Sequence, residues 1–372
     1  MPRAILNRTS AGAAAMAALA VVGCSSDSVT GLGESFDARA SAAIVETAVS
    51  SEWVNLSSGH ASMIVLAVKN APAASIIPGL DEDRLGALRN RDGNSIAGRI
   101  KSSVTAPSLS VTGRNGILPD QVLGKTFTLA GQTAGGYGLL EDSEGAPEDG
   151  ARFLMYELDP VTGRPRLIPP SRAGQLDLRE PVPNAGLEVY ATDKSGDVLS
   201  DLTLARTVID DGSNYSSTLT SSGALVKGSR FEFSMIDHVA FSNGFNRVDF
   251  QFDRDIQSQE RDIHVTYETD GYITSSETDQ GQVHLVMTLR SGGHTVVLDA
   301  VDDGVVVIGD VTYDGVAVVN ISGDPFEPTF TRPDGSFLAE GELNDMWEFW
   351  HSFDLVLYFG DALVIPLSTL IL

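Results

Sequence analysis

Cysteine is nearly absent: of 372 residues only Cys24 carries a thiol. A lone cysteine cannot close an intrachain disulfide or build a thiolate metal cage, so the fold must stand on its buried core. Positive charge is scarce too. With 25 basic residues against 50 acidic ones the formal net is −25, and so acidic a chain repels nucleic acid and anionic lipid surfaces. The acids are scattered through turns and strand edges with no long block, the pattern of a solvated surface. Catalytic signatures are missing as well: there is no Gly-x-Ser-x-Gly elbow, no His-Glu-x-x-His zinc helix, no phosphate loop and no dinucleotide fingerprint.

Long apolar runs are also few, and the most informative lies at the amino end. Arg3 and Arg8 give a positive opening, followed by an uncharged, alanine-rich stretch from Ala11 to Val22. It falls well short of the roughly 20 residues that span a bilayer, and has the profile of a signal peptide. It ends in Ala20-Val21-Val22-Gly23-Cys24. This segment resembles the lipobox of bacterial lipoproteins, in which an aliphatic residue and two small ones precede a cysteine that is acylated and becomes the first mature residue. Val21 stands where leucine is commoner, and the alternative is a secretory leader cleaved elsewhere. The resemblance implies that residues 1–23 are removed, that Cys24 is the lipidation site and that the membrane is a partner through the lipid anchor. It leaves no free thiol for catalysis or metal binding. Ser25 and Ser26, where such families use aspartate for inner-membrane retention, imply the outer membrane. Cleavage removes two basic residues and no acid, leaving 23 basic against 50 acidic, a net of −27.

Residues 24–35 read as a polar, Ser/Gly-rich tether, and residues 36–372 as one mature domain, with division into 36–225 and 226–372 as the alternative. A helix is expected over Ala38–Ser50, with Asp37 as its cap and Ala42, Ile44, Val45 and Val49 on one face. Met63–Val68 is apolar but of undecided type. The following stretch to about Pro119 is rich in Gly, Pro, Ser and Asn, as loops are. From Lys125 the period becomes alternating, with strands expected at Phe127–Ala130, Arg152–Leu158, Leu187–Thr192 and Leu199–Arg206.

Asn243-Gly244, Asp270-Gly271, Gly292-Gly293, Asp303-Gly304 and Asp314-Gly315 each sit between strand-like runs, as two-residue hairpin turns would. A two-residue loop at Gly292-Gly293 sets Leu289 against Val296, Met287 against Leu298 and Leu285 against Ala300, which keeps one face apolar. The same counting pairs Ala300 with Val307 and Val311 with Val318. Four consecutive strands, Gln282–Arg290, His294–Asp302, Val305–Tyr313 and Val316–Ile321, then form a meander, extended upstream by Phe231–Phe241, Val248–Phe252 and Ile263–Tyr267. Met346, Phe349, Trp350, Phe353 and Val356 recur at helical spacing. The expected fold is α+β, mainly β: a large curved antiparallel β-meander with an N-terminal and a C-terminal helix packed against it. Leu355–Leu372 is apolar, but Asp361 near its middle favours a broken core helix over a membrane span.

Chemistry is thin. His264, His284 and His294 lie on or beside meander strands. In the hairpin register His284 faces Val301, with Asp299 only diagonal, so no histidine there is expected to face an acid directly. Glu141–Glu148 is an acidic loop, and so is Asp81-Glu82-Asp83, which lacks calcium-loop spacing because Leu85 holds a ligand position and Asp92 the closing one. No cofactor is indicated, calcium at that loop being the one weak candidate. The functions that remain are a non-catalytic envelope protein, binding or structural; a carrier of an apolar ligand lined by Trp347, Trp350 and Phe353; and a periplasmic hydrolase with a carboxylate pair. The partner is then an apolar ligand or an envelope protein, and not nucleic acid. The carrier reading leans on a likeness to envelope lipoprotein carriers built as half-barrels of antiparallel strands with helices inside, a likeness of fold alone.

Overall fold

The computed structural model describes residues 35–49, 64, 117–130, 136–140, 145–159, 170–183, 185–210, 214–227, 229–242, 247–274 and 281–363. The described residues all belong to one compact unit, Gly31–Leu372. Two helices, α1 (Ala38–Val49) and α2 (Glu340–Leu363), pack against a single fifteen-stranded sheet that is not closed. Its first strands are β1 (Lys125–Ala130), β2 (Gly136–Leu139), β3 (Gly150–Tyr156), β4 (Arg172–Arg179) and β5 (Leu187–Asp193). Long strands follow: β6 (Val198–Asp210), β7 (Tyr215–Lys227), β8 (Ser229–Ser242), β9 (Arg247–Ser258) and β10 (Ile263–Thr274). The last are β11 (Gly281–Ser291), β12 (His294–Asp302), β13 (Val307–Tyr313), β14 (Val316–Asp324) and β15 (Glu327–Thr331).

From β3 to β15 every strand pairs antiparallel with its sequence neighbours, so the expected meander extends across most of the sheet. The exception is the opposite edge. There β1 pairs parallel with β3, and β2 lies outside β1. No dipeptide turn signals that arrangement.

The Gly292-Gly293 register is as expected, with Leu289 on Val296, Met287 on Leu298 and Leu285 on Ala300. Both glycines have positive φ, 62° and 83°, which a two-residue type I′ loop demands. Elsewhere one turn assignment and two registers need correction. Asp270-Gly271 is no turn: it lies inside β10, with Asp270 opposite His284 and Gly271 opposite Val283. A Cβ on Gly271 would come within 2.0 Å of the Gln282 carbonyl oxygen, so this glycine serves a close strand approach. At Asp303-Gly304 the loop takes four residues, and Ala300 meets Gly309 in place of Val307. The cause is local: the Asp303 carboxylate accepts from the Val305 and Val306 amides at 2.9 and 2.8 Å, which holds Val305 and Val306 out of the ladder. Asp314-Gly315 is a two-residue loop, but a bulge between Val311 and Thr312 brings Val311 opposite Val319 in place of Val318. The bulge turns Val319 into the core, at 3% exposure.

α1 runs as expected. The Asp37 carboxylate accepts from the Ala40 amide at 2.9 Å, an N-cap that satisfies one orphan donor. Ile44, Val45 and Val49 are buried. Alternation gives the sheet an inner face toward the helices, carrying Phe233, Ile256, Val265, Leu285 and Leu298. Each such side chain contributes about 1.5–3 kcal/mol when fully buried. On α2, Phe359 meets Phe233 edge-on and Trp350 meets Phe330, while Phe36 bridges Phe349 and Tyr313. Among the described residues no helix is long and apolar enough to cross a membrane. Asn243-Gly244, most of Met63–Val68 and the tail beyond Leu363 lie outside the described residues.

The inner face is not wholly apolar. Arg254 of β9 lies opposite Met235 and Tyr267 and donates to the Asp237 carboxylate of β8. Burial pushes the Asp237 carboxyl up from its ordinary value, against the pull of Arg254. The net gain in stability from such a buried pair is small, because desolvation offsets the attraction.

Candidate functional site

Side chains opposite the inner face project from the outer face of β8–β12. In one row across the strands stand His238, Gln251, Asp270, His284 and Val301; Asp249, Tyr272 and Gln282 fill the next. These rows line an open concavity of about 610 Å³. Its width is set by the strands themselves: five adjacent strands spaced by about 4.8 Å span about 19 Å.

Most groups in it are tied to neighbours. Arg247 donates to Asp249 at 2.6 Å through Nη2 and 2.9 Å through Nε, and its guanidinium lies 4.0 Å over the Tyr272 ring. That bond to the Asp249 carboxylate holds Arg247 above its ordinary pKa. His238 Nδ1 meets the Thr218 hydroxyl at 2.8 Å, and the Gln251 amide donates to Asp253 at 3.0 Å. His284 lies between two acids, with Nε2 2.9 Å from Asp299 and Nδ1 3.6 Å from Asp270.

The last contact corrects the sequence-based expectation. His284 directly faces an acid, Asp270, across β10–β11. Only the β11–β12 hairpin could be counted from sequence, because the mistaken turn at Asp270-Gly271 removed the other neighbour. His264 and His294 pair with Asp255 and Asp314 at 3.2 and 2.7 Å, each carboxylate one step away along the adjacent strand or turn.

The aromatic residues singled out on α2 sit elsewhere. Trp350 and Phe353 are each 1% exposed and meet edge-on, with ring centroids 5.2 Å apart, between helix and sheet. Trp347 is half-buried, edge-on to Phe330 and stacked on His351. Cys24 and Asp81-Glu82-Asp83 lie outside the described residues, as does the first half of Glu141–Glu148, residues 141–144. Among the described residues no group of three or more His, Cys, Asp or Glu is placed to hold a metal ion. The outer-face concavity was missed in sequence because its members, mostly ordinary polar residues, are spread over five strands and no local pattern joins them. Compared with known proteins, the chain matches no family model, no curated protein and no solved structure, so the site is read from its own residues.

Proposed function

We propose that this is a lipid-anchored protein of the bacterial cell envelope, held at the outer membrane through Cys24, whose sheet binds a ligand or partner without catalysis. The observation that carries the anchor is the positive opening, apolar run and small-residue site ending together on the chain's single cysteine. Two features favour binding on the outer face. The inner face beneath α2 is filled by the protein's own aromatic side chains, Trp350 and Phe353 among them. The outer concavity is open and polar, yet Asp249 and Asp270 are 43% and 67% exposed. A hydrolase of the carboxylate-pair type places one acid in an apolar, buried setting, whereas Asp249 and Asp270 both stand in the open.

Cys24→Ala tests the anchor. Wild-type cells grown with a labelled fatty acid are expected to yield labelled protein in the membrane fraction, whereas the variant stays unlabelled and is unprocessed or soluble. Wild-type protein that takes up no label would overturn the proposal.

A further inference from the structure

Both terminal edges of the sheet are protected against pairing with another chain. β15 carries Pro328 within it and Pro333 just after it, and proline cannot donate to a ladder. β2, Gly136-Tyr137-Gly138-Leu139, is short and half glycine, a poor template for a further strand. A third edge arises where β6 outruns β5, and it has no such protection. β6 pairs with β7 out to Asp210, but with β5 only as far as Leu204. Along residues 205–210 one line of backbone amides and carbonyls is therefore left without a partner strand among the described residues. This stretch reads Ala-Arg-Thr-Val-Ile-Asp, with no proline, lysine or glycine to discourage pairing. Thr207, Val208 and Ile209 are β-branched, the type that suits an extended strand, and Val208 and Ile209 are 41% and 64% exposed.

Arg206 adds an unbalanced charge. Its Nε donates to the Ser217 hydroxyl at 2.8 Å and its Nη2 to the Tyr215 hydroxyl at 3.1 Å, and no carboxylate among the described residues meets it. Two uncharged acceptors leave the guanidinium with further donors to give. The same stretch of sequence can supply the missing acid. Paired antiparallel with a second copy of itself about Val208, it sets Val208 on Val208 and Thr207 opposite Ile209. Arg206 then stands opposite position 210 of the second copy, an aspartate in the sequence. The two-fold axis makes that contact twice, and opposite charges directly across a strand pair favour the register. A foreign strand would have to reproduce this pattern by chance, whereas the chain's own does so by symmetry.

We infer that the protein forms a two-fold dimer by antiparallel pairing of residues 206–210 of β6 with the same residues of a second copy, which joins two sheets edge to edge. The inference stands apart from both the anchor and the outer concavity. A ladder this short falls below the roughly 1,200 Å² of a standard interface, so the dimer is expected to be weak and reversible.

Sedimentation velocity of the full chain in mild detergent tests it, from about 1 to about 100 μM, the range of a small interface. A monomer–dimer equilibrium is expected. Ile209→Lys, at an exposed position, puts a charge on the edge and should weaken the dimer at least about tenfold without altering the cooperative melt. The same variant controls for two chains sharing one micelle. Arg206→Asp and Asp210→Arg each set like charges face to face and should dimerise poorly alone, whereas a mixture of the two should recover the dimer. Val208→Cys should cross-link to itself under mild oxidation, because facing Cα atoms of antiparallel strands lie about 4.5–5.5 Å apart, within disulfide reach. A chain that stays monomeric to about 100 μM would overturn the inference. So would a dimer that persists in Ile209→Lys and fails to cross-link through Val208→Cys, since its interface would lie elsewhere.

Discussion

Trp347 and Trp350 stand three positions apart on α2 and meet different surroundings. Trp350 is 1% exposed, with Phe330 and Phe353 against its ring, whereas Trp347 keeps one side open to solvent and stacks on His351. Trp350→Ala should therefore cost about 3–5 kcal/mol, the range for emptying a packed aromatic site, and Trp347→Ala clearly less. Chemical denaturation of both variants checks this. Equal losses would mean that Trp347 is as deeply packed as Trp350. Helical spacing made this apolar face legible in sequence. It could not grade its members, because burial depends on what stands opposite, and Phe330 is 17 positions away from Trp347 in the chain. The histidines show the same limit. The acids that meet His264, His284 and His294 arrive from neighbouring strands or turns, so each contact required a register.

Turns are where the sequence spoke most clearly and also where it misled. Gly292-Gly293 was legible because a single loop length kept an apolar face together, whereas Asp270-Gly271 carries the same kind of dipeptide inside a continuous strand. The difference lies in the partner: β11 offers the Gln282 carbonyl against Gly271, a contact that no local pattern encodes. The Asp303-Gly304 loop was recognised as a turn but not for its length, because the carboxylate of Asp303 captures two amides beyond it. Gly304 itself has φ of 84°, a region that β-branched residues rarely enter. Gly304→Val should therefore destabilise by more than the roughly 1 kcal/mol typical of a point change. An unaltered melting temperature would show that this position does not need positive φ. The parallel contact of β1 with β3 had no signal, since periodicity reports which face a residue occupies and not which strand lies beside it.

Across the whole molecule, acid should act in two opposing ways. Asp303, Asp314, Asp334 and Glu342 all have pKa values lowered, by backbone amides at Asp303 and Glu342, by His294 at Asp314 and by Ser336 at Asp334. A depressed carboxylate lends stability that is present above its unfolded pKa and lost as pH falls through the folded one. Asp237, raised by burial, works the other way, and its protonation relieves a cost. Falling pH also relieves the self-repulsion of a chain with net charge −25. Melting temperature is therefore expected to rise modestly from neutral into mildly acidic pH and to fall below about pH 4, the ordinary carboxylate range. Asp314→Asn should flatten the acidic limb, and a profile that rises steadily down to about pH 3 would contradict the assignment. The order of the strands has a further consequence, one of timing. Because β4 to β15 pair only with sequence neighbours, hairpins can join the growing sheet one after another as chain becomes available, with little loop entropy to overcome at each step. The inner face, however, is covered in part by α2, which follows all fifteen strands in the chain. A partly synthesised chain thus holds strands without that cover and is not committed to its final packing. Under the export proposed above, that delay would keep the chain in a state a translocation channel can accept.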